Sequence, residues 1–326
     1  MNRRSLMALG ALGAPAIFVG RASAQGGLPD KSIRIYVGFE RDGGADITAR
    51  VLANQIQRRS GRHVNVENRP GFSGGVPGEL MKKATGDGSQ ISLLSSTSLV
   101  AKLAMKDFPF DPSKDVAPVS LVGNFSIAFA VSRTIGVSTF AEYLKWVKAG
   151  DAKRRRIAVS SNVTFLKVLN TVLVPSIGEP LDGVNYRGPV PVIADLEQGR
   201  IPASVNTVTS LLPAHRGGRL RILMHTGARR LAVGRDIPTA TELGFPKLDM
   251  QEWFGVFAPP SMSPALVAEW NRVVGLAVKD AAFGDVVGPI GLEPATSSPA
   301  ELAALLVSHQ KDWEIRMKNA GMNPVI

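Results

Sequence analysis

Ser73 has the neighbourhood that comes nearest to a catalytic motif. Gly71-Phe72-Ser73-Gly74-Gly75 matches G-x-S-x-G. In that pattern a serine on a sharp strand-to-helix turn becomes the nucleophile of acyl transfer. Histidines that could activate it follow at 215, 225 and 309. The fit is poor, because the turn needs its serine directly off the strand. Here Asn68-Arg69-Pro70 intervene, and Pro70 favours an extended lead-in. His309 also falls on the apolar stripe of a C-terminal helix, where a histidine packs. There is no G-x-G-x-x-G fingerprint, Walker A lysine or H-E-x-x-H, and the four histidines lack metal-ligand spacing. With no cysteine, thiolate nucleophiles, disulfides, cysteine-ligated metals and a lipoprotein anchor are excluded. No cofactor, no metal and no catalytic residue are expected. A periplasmic α/β hydrolase using Ser73 is the alternative.

A different chemistry is written in four loops that each follow an expected strand. They are Gly38-Phe39-Glu40-Arg41-Asp42-Gly43-Gly44-Ala45-Asp46, Arg69 to Gly75, Ser95-Ser96-Thr97-Ser98 and Ser160-Ser161-Asn162-Val163-Thr164. All are rich in Gly, Ser and Thr. Glycine lets backbone approach a ligand, and amides and hydroxyls at a helix start bind carboxylates without a fixed cation.

The elements that would carry these loops alternate. Strands are expected at Ile33–Val37, His63–Glu67, Gln90–Leu94, Ile127–Val131, Ile157–Val159, Ile201–Val205, Leu220–Met224 and Trp253–Ala258. Helices are expected over Asp46–Ser60, where Ile47, Val51, Leu52 and Ile56 share a face, and over Val76–Ala84. Thr139…Glu142, Thr239…Glu242 and Ser298…Glu301 have the form of capping boxes at helix starts. The C-terminal third carries two helical stripes, Leu266 to Val278 and Leu302 to Trp313, the second ended by Gly321. Alternation of this kind predicts an α/β fold with mostly parallel sheets, whose ligands sit at the carboxyl ends of strands.

At 326 residues the chain suits two domains. Asn2-Arg3-Arg4-Ser5, the apolar run Leu6–Val19 and Ala22-Ser23-Ala24 have the order of a cleaved signal peptide over 1–24. The apolar run is too short to span a membrane. The arginine pair permits twin-arginine export, and Sec export is equally open because Phe and Lys do not follow it. Loss of Arg3, Arg4 and Arg21 from a net +11 leaves +8. That charge is scattered. Its densest run, Lys153-Arg154-Arg155-Arg156, has no interleaved aromatics, so it reads as a solvated loop and not as a nucleic-acid surface.

Several segments together resemble the Bug-type receptors of tripartite tricarboxylate transporters. They are Val66-Glu67-Asn68-Arg69-Pro70-Gly71, Phe110-Asp111-Pro112 through Val119, Asn185-Tyr186-Arg187-Gly188, His225-Thr226-Gly227-Ala228-Arg229-Arg230, Asp236-Ile237-Pro238-Thr239 and Trp253 to Pro259. The resemblance runs from about Lys31 to Gly321. It implies a two-domain, periplasmic-binding-protein-like (Venus flytrap) fold, with domain 1 over 25–123 plus 253–326 and domain 2 over 124–252. A small carboxylated anion would be held between the domains and passed to membrane transporter subunits. The contacts it implies are Phe39, Gly43, Gly44, Ala45, Asp46, Ser73, Ser95 and Thr97, with Ser160, Ser161, Asn162, Thr164, Tyr186 and Asn206 from the other side.

This chain departs from the family pattern in three places. Glu40-Arg41-Asp42 stands where the family has Pro-Pro-Gly, Asn206 where it more often has aspartate, and the Ser160–Thr164 loop is shorter. Arg41 could grip a ligand carboxylate, Glu40 or Asp42 could select an amine, or all three could pair in solvent. The reading is a periplasmic, monomeric solute-binding receptor, not an enzyme. A ligand sensor for a membrane signalling protein is a third possibility.

Overall fold

The computed structural model describes residues 27–160 and 163–323, so the expected signal peptide, Ser161 and Asn162 lie outside the described residues. The chain first forms β1 (Ile33–Val37), α1 (Gly44–Ser60), β2 (Val64–Asn68), α2 (Val76–Lys83), β3 (Gln90–Ser95), α3 (Ser96–Val100) and β4 (Ala117–Phe125). After Ser126 come β5 (Ile127–Val131), α4 (Phe140–Lys148), β6 (Arg156–Val159), α5 (Val163–Ile177), β7 (Asp182–Asn185), α6 (Pro189–Glu197), β8 (Ala203–Thr207), α7 (Val208–Arg216) and β9 (Arg221–His225). A long connection leads to β10 (Glu252–Ala258), α8 (Pro264–Val278), α9 (Ala281–Val287), β11 (Glu293–Pro294) and α10 (Pro299–Asn319).

These strands make two sheets, ordered β11-β4-β10-β3-β1-β2 and β7-β6-β8-β5-β9. In each, most strands point one way: β1–β4 in the first, and β6–β9 in the second. β5, β10 and the two-residue β11 run the other way, and for β5 and β10 the cause is topological. β5 and β10 are the strands entered directly after the chain passes from one sheet to the other. They start at the end where their neighbours finish, so they run antiparallel to the strands beside them. The carboxyl ends of β1, β3, β6 and β8 therefore face the gap between the two lobes.

The passages are short and tied together. Ser126 alone separates β4 from β5. The Thr226 hydroxyl accepts from Ile127 N (3.0 Å) and donates to Met250 O (2.8 Å), and Met250 N bonds Thr226 O (2.9 Å). One threonine thus stitches both crossings.

Helices cover both faces of each sheet through the stripes their sequences carry. On α8, Trp270, Val273, Val274 and Val278 are buried in the first core. α10 is shared between the lobes. Its Leu302 and Leu306 pack under the first sheet, while Trp313 and Met317 join the core of the second. Two of the three expected capping boxes start helices, at Thr139 and Ser298. The third closes reciprocally between Thr239 and Glu242 but starts only a turn. Gly244, with φ 86°, and Pro246 stop it before a helix can propagate. The basic run at 153–156 is structural and solvated. Arg154 lies over the Trp146 ring at 4.8 Å, and Arg155 pairs with Glu179 at 2.7 Å.

Candidate functional site

β1 delivers the first wall. Gly38 is needed where the chain leaves the strand, because a Cβ there would meet the Gly74 carbonyl oxygen and lie 2.6 Å from its Cα. The loop then turns into α1 at Gly43, which caps the helix with no side chain. The first amides of α1 have no partner within the helix. One of them, Gly44 N, donates across the gap to Ser210 Oγ at 3.2 Å. Asp46 braces this turn and does not line the gap. It is 1 % exposed and accepts from Asp42 N (3.1 Å), Asn68 Nδ2 (2.8 Å) and Arg50 Nε (2.9 Å). Burial opposes its ionisation, but the Arg50, Asn68 and Asp42 donors win and hold its carboxyl below the usual range. Arg41 and Asp42 are exposed, and Glu40 rests half-buried against Gly188 of the facing lobe.

β3 delivers the second wall. Ser95 Oγ caps α3 by accepting from Ser98 N (3.2 Å) and lies 2.8 Å from both Thr97 Oγ1 and Ser98 Oγ. From the facing lobe, Ser160 Oγ (3.1 Å) and Thr207 N (3.2 Å) both donate to Asn206 Oδ1. This fixes the amide, and Asn206 Nδ2 is left buried with no partner among the described residues. Thr207, Thr209 and Ser210 form a hydroxyl chain with links of 3.0 and 2.9 Å.

These groups surround a cavity of about 20 Å³ lined by Phe39, Gly43, Gly44, Ala45, Ser95, Thr97, Ser160, Pro189, Asn206, Thr207, Ser210 and Phe254. None of them is charged. Eight were expected from sequence. Pro189, Thr207, Ser210 and Phe254 were not, although Thr207 and Ser210 repeat the strand-then-hydroxyl pattern that marked the other loops. Of the remaining expected contacts, Thr164 is buried in the first turn of α5, outside the lining. Tyr186 Oη donates to Asp195 at 2.6 Å, and burial together with that carboxylate raises the phenol to about 12.

Ser73 stands apart from the cavity lining, with φ 54° and its hydroxyl on Met105 Sδ at 3.7 Å. The later histidines are engaged elsewhere: His215 with Asp236, His225 with Ser126, and His309 with Glu252. The hydrolase arrangement is therefore not assembled. No group of three metal-ligating side chains occurs among the described residues.

The two-lobed fold with a neutral cleft at the strand ends agrees with the sequence comparison. The model of the tripartite tricarboxylate transporter family receptor matches residues 48–322. The chain belongs to that receptor family. Family relatives include protein BugT of Bordetella pertussis, 26 % identical over 297 residues with 90 % of each chain covered. A protein encoded in the tcbD-tcbE intergenic region of Pseudomonas sp. strain P51 is also 26 % identical, covering 90 % of this chain and 88 % of the relative. Among solved structures, periplasmic binding protein BugD aligns with a TM-score of 0.84 at 23 % identity, over 90 % of this chain and 99 % of that one. MatC of Rhodopseudomonas palustris, solved with bound malate, aligns with a TM-score of 0.80 at 22 % identity, over 89 % and 99 %. An R. palustris protein solved with adipate reaches 0.84 at 23 %, over 91 % and 99 %.

His225 is fully buried beside the first crossing, where its Nδ1 accepts from Gly227 N (3.1 Å) and lies 3.1 Å from Ser126 Oγ. The proton therefore sits on Nε2. Burial depresses its pKa from 6.5 to about 4. The unfolded chain takes up a proton between those values and the folded chain does not, so folding stability falls as pH drops from 6.5 to 4. The loss is about 3 kcal/mol. Urea unfolding at stepped pH should show this fall. His225→Asn, which keeps an acceptor for Gly227, should flatten it, and an unchanged slope in the variant would remove His225 as the cause.

Proposed function

We propose that this chain is an exported periplasmic receptor that captures a small carboxylated solute between its lobes and presents it to a tripartite tricarboxylate-type transporter. The observation that carries the reading is the buried, unpartnered Asn206 Nδ2, in the same cavity lining as the start of α1, which no side chain caps, with no charged residue in that lining. Such a cleft suits a carboxylate: amide and hydroxyl donors converge, and the positive end of the α1 dipole favours an anion. An amine would find no acidic partner in that lining. Phe39 and Phe254 supply apolar faces for the carbon skeleton. The malate and adipate found in neighbouring structures are solutes of this class.

Binding is passive and reversible. With about 20 Å³ enclosed, the cleft holds about one water-sized group. The lobes must part for a dicarboxylate to enter, turning about Ser126 and the irregular segment Met250–Gln251. Residues 25–123 with 253–326 then move against 124–252, as a monomer, after removal of the 1–24 signal. The contacts are those that line the cavity. Arg41, Asp46, Ser73, Thr164 and Tyr186 support or flank it.

Thermal melting of the mature protein against mono-, di- and tricarboxylates, amino acids and aromatic acids tests the reading. A ligand at a hundred times its Kd stabilises by about 2.7 kcal/mol, which in a chain of this size raises the melting temperature by about 5 °C. At least one carboxylate is expected to do so. A hit confined to amines, or none after unfolding and refolding, would overturn the proposal.

A further inference from the structure

A cleft outside the ligand site lies on the second lobe, with a volume of about 760 Å³. Its rim carries Arg133, Arg216, Arg221, Arg230 and His215, and its floor is apolar, including Phe140, Leu212 and Ile222. Arg230 is matched by Glu242 at 2.9 Å, and His215 Nε2 lies 3.3 Å from Asp236 Oδ2. Arg133, Arg216 and Arg221 are in no ion pair among the described residues. Arg221 acts on the Glu142 carboxyl without an ion pair, and that carboxyl is already occupied by the amides of Ser138 (2.6 Å) and Thr139 (3.3 Å).

One wall of this cleft is tied to the other lobe. Arg216 Nη1 donates to Pro289 O at 3.1 Å, and a Cβ on Gly291 would meet the Leu212 side chain at 3.3 Å. Pro289 and Gly291 belong to the first lobe, so Arg216 and Leu212 hold this arrangement only while the lobes are together.

We infer that this basic cleft is the docking surface for an acidic segment of the receptor's membrane partner, and that it is completed by lobe closure. The inference rests on the receptor reading. Three unmatched guanidiniums over an apolar floor fit carboxylates interleaved with apolar side chains. Because closure fixes Arg216, the partner binds the loaded receptor more tightly than the open one. By linkage, the docked partner tightens solute binding by the same factor.

The test uses a fluorescein-labelled hepta-glutamate peptide and the mature full chain, read by anisotropy at low salt. Wild type is expected to bind it, and 0.5 M salt to abolish binding. Arg133→Glu/Arg221→Glu should weaken binding at least tenfold, Arg133→Lys/Arg221→Lys should retain it, and Arg58→Glu/Lys153→Glu, with the same change in net charge, should alter it less than twofold. Equal loss in both charge-reversed proteins, or no binding by wild type, would overturn the inference. So would cleft-dependent binding to phosphatidylglycerol vesicles in place of the peptide. All four proteins should melt alike and respond alike to a carboxylate that shifts wild type. If no carboxylate shifts any of them, the receptor reading fails while the peptide result still reports on the cleft.

Discussion

Gly44→Ala is expected to fold normally and to weaken solute binding at least a hundredfold. Gly44 opens α1, where alanine is the better helix former by about 1 kcal/mol. The first lobe alone should therefore be unharmed. In the closed arrangement, however, a Cβ at this position would meet Thr209 Oγ1 and lie 2.5 Å from Thr209 Cβ and 3.0 Å from its backbone carbon. Thr209 cannot retreat. It is fully buried, and its hydroxyl is held by Thr207 at 3.0 Å. The lobes must stop short, and the Gly44–Ser210 bond and the donors around Asn206 no longer converge. A loss of about 3 kcal/mol in binding free energy corresponds to roughly that hundredfold change in Kd. Calorimetric titration of a carboxylate into wild type and variant reads it directly. An unchanged Kd would mean that the solute binds without lobe closure.

Glu252→Ala should cost about 3 kcal/mol or more of folding stability, although Glu252 is not in the lining of the ligand cavity. Glu252 is fully buried at the head of β10. Its Oε2 accepts from Ser96 Oγ, and His309 Nε2 lies 3.1 Å from the same oxygen. Ser96 Oγ in turn accepts from Trp253 N at 2.9 Å. One carboxyl group thus joins the second crossing, the Ser95–Thr97 wall and α10. Truncation strands Ser96 and His309 in a dry interior and leaves a void. Glu252→Gln, which keeps an acceptor and the volume, should recover most of the loss. Urea unfolding of the three proteins decides it, and a cost under about 1 kcal/mol for the alanine variant would show that the cluster contributes little.

Much of the architecture was legible because it is local. Ile33–Val37 and Ile127–Val131 form strands at the expected residues, and the Thr139 and Ser298 boxes start helices. β4, the longest strand, was not expected. Pro118 and Gly123 interrupt its apolar run, and its place between β10 and β11 supplies the pairing that overrides them. The site was legible where a loop follows a strand, as at Gly43–Ala45 and Ser95–Thr97. It was not legible where closure brings distant pieces together. Pro189 and Phe254 enter the cavity from separate lobes, and Ser210 meets Gly44, 166 residues earlier, only when the lobes are together. Glu252 looks like a charge at a loop end until Ser96 and His309 are placed against it. Arg41 was the charged residue most able to grip a carboxylate, yet it is exposed and outside the cavity lining.

The most direct test of the central claim is to titrate the carboxylate that most raises the melting temperature into wild type and Asn206→Leu. The leucine fills a similar volume and removes the donor of the cavity lining that is buried without a partner among the described residues. Wild type should bind a single equivalent, and Asn206→Leu should lose at least tenfold in Kd while still unfolding in one cooperative transition, at a temperature lowered by the loss of the acceptor for Ser160 Oγ and Thr207 N. Equal affinity in the two proteins would contradict the account, because the solute would then be held somewhere other than the cleft between the lobes.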